Sequence, residues 1–353
     1  MPTQPKLTRF NQNVLSKYQI YNSIFMTLPF DDVTKTGALL PLFHETCQKG
    51  FANQDNPTAI VESFFKKYQA RRSPESQINL LFRFIQYIER QVVLFDAIED
   101  AAFPVVNNMD GIGTLRSLKE TVSAENKLEV LQKYLEEFKV RIVLTAHPTQ
   151  FYPGSVLGII TDLTEAIREN DLLRINDLLA QLGKTPFFKH EKPSPFDEAV
   201  SLIWYLENVF YKSFGSIYDY IQQNIFDGKQ IENNVINIGF WPGGDRDGNP
   251  FVTPEITLKV AGRLRLSIIK NYYRNVRQLK RKLTFQGVEE RMSVLERELY
   301  KIITNEPTDF TLDFFVSELK AVKEVIITNH NSLYENELNS LINKTHLFGF
   351  HFA

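Results

Sequence analysis

Two short stretches concentrate residues able to do chemistry. The first, Arg141-Ile-Val-Leu-Thr-Ala-His-Pro-Thr-Gln150, is an apolar segment leading into His147. An imidazole takes or gives a proton near neutral pH without large tuning. The second is Gly239-Phe-Trp-Pro-Gly-Gly-Asp-Arg-Asp-Gly-Asn-Pro250. Gly243 and Gly244 open a loop there, and Asp245, Arg246 and Asp247 crowd behind them. Glycines permit close approach to an anion, unblocked backbone N–H groups can cradle it, and a guanidinium forks onto phosphate or carboxylate. The two aspartates could hold Arg246 in place or bind a cation. The alternatives are a structural loop with Arg246 paired internally, and for His147 a hydrogen-bonded turn. Trp241, at the loop mouth, either packs the core or walls a substrate pocket.

Other chemistries fail on spacing. Asp245, Asp247 and Asn249 match the first three ligand positions of an EF-hand, but Gly248 falls too early and Ile256 stands where a bidentate Glu is needed. His44, His190, His330, His346 and His351 show no mutual metal-ligand spacing. No P-loop, nucleophile elbow or dinucleotide fingerprint occurs.

The elements around the two stretches follow from periodicity and capping. Val140 to Thr145 and Val235 to Phe240 are short, apolar and rich in β-branched residues, which predicts strands buried on both faces. Thr253-Pro-Glu255 predicts a helix start, with a hydroxyl cap, Pro at the first position and an acid in the first turn. Each candidate stretch therefore sits just past a strand's C-terminal end, where α/β folds place active sites. One site built from both strand ends is expected. Elsewhere the pattern is helical. Ser73-Pro-Glu75 starts a long helix that Phe103-Pro104 should end. Further helices are predicted over Gly37 to Tyr68 (two), Ser123 to Phe138, Ser155 to Leu182, Asp197 to Phe226, Glu255 to Leu283, Val288 to Thr304, Leu312 to Asn329 and Ser332 to Asn343. Thr345 to Ala353 reads as a third buried strand, with His346 and His351 on opposite faces. An apolar strand is a poor natural terminus, so a fragment or truncation of a longer chain is expected.

Composition narrows the class. Lys and Arg number 40 against 42 Asp and Glu, a net charge of −2, which argues against non-specific nucleic-acid binding. The basic run Lys270 to Lys282 reads as a solvated helix face. The single cysteine, Cys47, excludes a disulfide framework and fits a reducing compartment. No apolar run reaches the roughly 20 residues of a membrane span, and the start, Met-Pro-Thr-Gln-Pro-Lys, lacks the apolar core of a signal peptide. A cytosolic protein without membrane partners is expected.

The two stretches resemble the signatures of phosphoenolpyruvate carboxylase. The match rests on Val143-Leu-Thr-Ala-His-Pro-Thr149 and on Gly243-Gly-Asp-Arg-Asp-Gly-Asn-Pro250, followed by Val252-Thr-Pro254. Between them Lys192-Pro-Ser-Pro-Phe-Asp-Glu-Ala199 resembles a weaker family segment. The resemblance implies a mainly α protein with a few buried parallel strands, an incomplete part of a (β/α)8 barrel with many extra helices. Residues 1–139 would be an N-terminal helical region and 140–353 the first strands and helices of the barrel. The family joins phosphoenolpyruvate to bicarbonate, giving oxaloacetate and phosphate through carboxyphosphate and enolpyruvate, with Mg²⁺ or Mn²⁺. His147 matches the catalytic histidine, taken to handle the proton of the carboxyphosphate/CO2 step. Trp241 matches a tryptophan of the substrate region. Gly243, Gly244, Asp245, Arg246 and Asp247 belong to the second signature, read as shaping the anion site. The metal ligands and other catalytic groups are expected outside this chain, so the chain alone should be inactive, and a homotetramer is implied for the full-length protein. One departure stands out. Phe151-Tyr-Pro-Gly154 replaces an arginine pair that some relatives use for a sugar-phosphate activator. The alternative from another class is a non-catalytic helical interaction or regulatory protein retaining the scaffold.

Overall fold

Helix starts follow capping chemistry in the computed structural model, which describes residues 5–28, 34–145, 152, 154–187, 193–229, 231, 233–247 and 249–353. The Ser73 hydroxyl accepts from Ser76 N–H at 3.3 Å and opens the 33-residue helix Pro74–Val106. Ser194 and Asp197 form a reciprocal capping box before the helix Pro195–Tyr205. Thr253 accepts from Ile256 N–H at 3.4 Å at the head of the helix Pro254–Lys280.

In chain order the helices are α1 (Lys6–Phe10), α2 (Ser16–Thr27), α3 (Thr34–Ala52), α4 (Pro57–Tyr68), α5 (Pro74–Val106), α6 (Leu115–Ala124) and α7 (Leu128–Glu137). Strand β1 (Val140–Leu144) leads to α8 (Gly154–Glu169), α9 (Leu172–Lys184), α10 (Pro195–Tyr205) and α11 (Tyr211–Asn224). Strand β2 (Ile236–Phe240) precedes α12 (Pro254–Lys280), α13 (Glu289–Ile303), α14 (Leu312–Asn329) and α15 (Glu335–Phe348). Single π-helical turns join α1 to α2 and α10 to α11. The protein is thus mainly helical, with two parallel strands among the described residues.

The chain forms two compact units, Met1–Met109 with Thr149–His190, and Asp110–Pro148 with Glu191–Ala353. In the first, α5 buries Phe84, Val93, Leu94, Ala97 and Ile98 against neighbouring helices including α8, which brings Leu163, Ala166 and Ile167. In the second, α12 is the central helix. Its Ile268, Ile269, Tyr272 and Val276 are fully buried among residues of α10 to α15.

Several sequence expectations need correction. Pro104 does not end α5, which runs on to Val106. A helical proline leaves the carbonyl four residues back without its partner, and the Arg168 guanidinium donates to that Asp100 carbonyl at 3.1 Å. Ser155 to Leu182 is two helices, because Asn170 takes φ +55° and Asp171 caps the second. Asn126, at φ +54°, likewise divides α6 from α7.

The third strand is absent. Leu338, Leu341, Ile342, Thr345 and Phe348 keep helical spacing and carry α15 on to Phe348, where Gly349 at φ +53° stops it. His346 is therefore helical. Phe348, Phe350 and Phe352 imitate a strand's alternation but pack into an aromatic cluster with Tyr211, Tyr272 and Phe310.

The two strands are also not buried on both faces. Val140, Ile142 and Val143 of β1 are 39%, 38% and 42% exposed, and β2 is half-buried. Among the described residues, Leu144, Ile236, Ile238 and Phe240 pack on the α12 core, while Val140 and Ile142 on that same face stay over a third exposed; Arg141, Val143 and Gly239 share the opposite face.

Candidate active site at two strand ends

Strand register brings the two motifs together. β1 and β2 pair in parallel with Val143 opposite Gly239 and Leu144 opposite Phe240. One residue on, the Trp241 N–H donates to the Leu144 carbonyl at 2.8 Å. The two segments thus leave the sheet side by side at its C-terminal edge. Gly239 permits the close pairing, since a Cβ there would lie 3.0 Å from Val143 Cγ2. Upstream, the Asn233 amide donates to the Leu135 and Phe138 carbonyls at 2.9 and 2.7 Å, which fixes β1's entry beside β2's. His147 lies outside the described residues, as does Gly248.

The glycine loop is built against α12. Gly243 has φ +75°, and a Cβ on it would stand 2.6 Å from Val260 Cγ2. Both the left-handed backbone and the close approach require glycine. Thr257, on α12, donates its hydroxyl to the Gly243 carbonyl at 2.7 Å. The Asn249 side chain accepts from Phe251 N–H at 3.1 Å and turns the chain toward the Thr253 cap.

The loop's polar groups are arranged differently from the sequence reading. Gly244 and Asp245 donate their N–H groups to the Trp241 carbonyl at 3.0 and 3.1 Å, and Asp247 donates to Asp245 Oδ1 at 3.1 Å. These donors close the turn and are not open to an anion. Asp245 does not hold Arg246. Its carboxylate accepts from the Trp241 side chain, and that bond, with the Asp247 N–H, holds the carboxyl below its usual range. Trp241 is thereby fixed with half its surface exposed, at 50%. Among the described residues Arg246 makes no ion pair, and its Nη2 reaches Thr257 Oγ1 at a long 3.5 Å. The loop presents an exposed guanidinium and, held by Asp245, an oriented indole. It suits a planar or tetrahedral anion.

The intermediate segment also meets α12. Lys259 Nζ sits 4.2 Å from the Phe196 ring centroid, so the Pro193-Ser-Pro-Phe196 stretch abuts the same helix. A sequence model of the phosphoenolpyruvate carboxylase family matches residues 58–311, well over half of the chain. The chain belongs to the phosphoenolpyruvate carboxylase family. It is 32% identical over 213 residues to the phosphoenolpyruvate carboxylase of Shewanella loihica, covering 54% of this chain and 24% of that protein. It is 26% identical over 243 residues to the enzyme of that name from Aliivibrio salmonicida, covering 63% of this chain and 28% of that protein. The chain thus spans about a quarter of the length of these relatives.

Sequence reasoning missed three residues here: Thr257, Lys259 and Asn233. Thr257 lies one turn after its own helix cap and looks like an ordinary first-turn hydroxyl; only the fold shows that it reaches back to Gly243. Tyr152 donates its hydroxyl to Asp96 Oδ2 at 3.5 Å, and burial first, then Asp96, push its pKa up to about 12.

Proposed function

We propose that this chain supplies one wall of a phosphoenolpyruvate carboxylase active site. The reaction would join phosphoenolpyruvate and bicarbonate to give oxaloacetate and phosphate. The observation that supports this reading is the β1–β2 register, which sets Leu144, the end of the strand that leads toward His147, beside Trp241 at the head of the glycine loop. Arg246 would take a phosphate or carboxylate of the substrate, with Trp241 as the apolar wall. Gly243, Gly244, Asp245 and Asp247 would act by shaping the loop and orienting the indole. His147 would handle the proton of the carboxyphosphate/CO2 step.

The rest of the architecture follows the same proposal. β1 and β2 would be early strands of an incomplete (β/α)8 barrel occupying residues 140–353, behind a helical region over 1–139. The family implies Mg²⁺ or Mn²⁺. Among the described residues no group of three or more His, Cys, Asp or Glu could hold a metal ion. The described residues do not fit that ion, whose ligands would lie outside this chain. A homotetramer would belong to the full-length enzyme.

Because the chain spans about a quarter of its relatives, the 353-residue chain alone is expected to give no bicarbonate-dependent oxaloacetate. Turnover by it would overturn that part of the proposal. In a full-length polypeptide carrying this sequence, His147→Asn is expected to abolish turnover while phosphoenolpyruvate still binds. Equal turnover by the two would remove His147 from the chemistry.

A further inference from the structure

A second cationic site lies between α12 and α15. A cavity of about 630 Å³ opens there, walled by Asn275, Arg281 and Lys282 from the end of α12 and by Glu337, Ser340 and Lys344 from α15. Cavities of that size take small-molecule ligands. Its charge balance is positive. Lys282 is matched by Glu337 through two contacts of 2.9 and 2.8 Å. Arg281 and Lys344 have no ion pair among the described residues.

Lys344 is built in rather than draped on the surface. It is only partly exposed, and its ammonium donates to Ser340 Oγ at 3.1 Å and lies 5.3 Å from the Tyr211 ring centroid. Asp219, the carboxylate whose charge acts on it, is already engaged, accepting from Ser340 at 2.5 Å and from Asn343 at 2.8 Å. Burial lowers the ammonium's pKa; Asp219 opposes that shift and Lys212 adds to it. The stem of Lys344 crosses α11 at Gly215, where a Cβ would stand 2.3 Å from Lys344 Cε. A glycine in the middle of a helix is unfavourable relative to alanine, and here it makes the groove in which the lysine lies.

An amide donor adds to these cations. Tyr211 donates its hydroxyl to Asn275 Oδ1 at 2.7 Å, which fixes the flip of that amide and leaves Nδ2 for the cavity.

We propose that this cavity binds a compact dianion of the phosphate class, held by Lys344, Arg281 and the Asn275 amide. The site is separate from the Gly243–Pro250 loop, and its test does not depend on turnover.

The test is calorimetric titration of the 353-residue chain with inorganic phosphate, against chloride at matched ionic strength. Saturable phosphate binding is expected, weakened at least tenfold in Lys344→Met and in Arg281→Met. Arg281 is exposed, so that variant leaves the fold intact even if Lys344→Met does not. Gly215→Ala should push the lysine aside and weaken binding severalfold with an unchanged or higher unfolding midpoint. In Arg246→Met, the part of the phosphate binding that depends on Lys344 and Arg281 should persist. The proposal is overturned if phosphate binds no better than chloride, if Arg281→Met binds like the parent, or if Arg246→Met abolishes the binding.

Discussion

The Thr257 hydroxyl donates to the Gly243 carbonyl at 2.7 Å, tying the start of α12 to the signature loop. The same oxygen is the nearest partner of the Arg246 guanidinium, at 3.5 Å. One side chain therefore sets both the loop's position and the resting place of its cation. Removing it should be felt at both. Thr257→Val is expected to destabilise the protein by about 1 kcal/mol, the usual net worth of one intramolecular hydrogen bond. Thr257→Ser should restore most of that. Urea denaturation of the three proteins measures it.

Gly243 and Gly158 make a controlled pair. At Gly243 a methyl meets Val260 at 2.6 Å and the backbone is left-handed, whereas at Gly158, inside α8, nothing lies within 4 Å. Gly243→Ala should cost about 2 kcal/mol or more, in the range of a strained left-handed residue with an added clash. Gly158→Ala should instead stabilise by roughly 0.5–1 kcal/mol, through helix propensity. Paired denaturation curves give the signs.

Asp245 and Trp241 predict a pH effect. The Trp241 side chain and the Asp247 N–H lower the Asp245 pKa in the folded protein. A depressed carboxyl contributes stability that is present above its unfolded value, about 3.9, and is lost as pH falls through the folded one. With Trp204→Phe as background, Trp241 emission should change only below about pH 3.9. Asp245→Asn should remove that transition. A transition at or above the ordinary aspartate range would contradict the indole–carboxylate contact.

Much of the site's frame was legible in sequence because its signals are local. Thr253, Ser73 and Ser194 are caps whose chemistry lies within four residues, and β-branched runs marked both strands. What failed depended on contacts distant in sequence. The Phe348, Phe350 and Phe352 alternation looks like a strand until Tyr211 and Phe310 give those rings a helical-domain core. The partner of Asp245 stays open in the sequence, between Arg246 and a cation, because the turn that brings the Trp241 side chain to it is not visible there. Burial of both strand faces was overestimated, since apolar composition cannot tell one covered face from two.

Arg90 predicts a stability effect in the first unit. Its guanidinium donates to the carbonyls of Leu182 at 3.1 Å, Thr185 at 2.8 Å and Gln86 at 2.8 Å, and stacks 4.6 Å from the Phe187 ring centroid. It closes the C-terminal end of α9. Arg90→Met should leave buried carbonyls without donors and cost about 1–3 kcal/mol. Arg90→Lys should recover little, because an ammonium cannot span three acceptors in a plane. Thermal unfolding of both variants tests it.

The central claim is that the Gly243–Pro250 loop is a wall of a phosphoenolpyruvate site, and fluorescence reads it directly. In Trp204→Phe protein, phosphoenolpyruvate should change Trp241 emission saturably. Arg246→Met should weaken that response at least tenfold, since a charge-assisted hydrogen bond contributes about 1.5–3 kcal/mol. An emission unmoved by phosphoenolpyruvate, or an identical titration in Arg246→Met, would contradict the account.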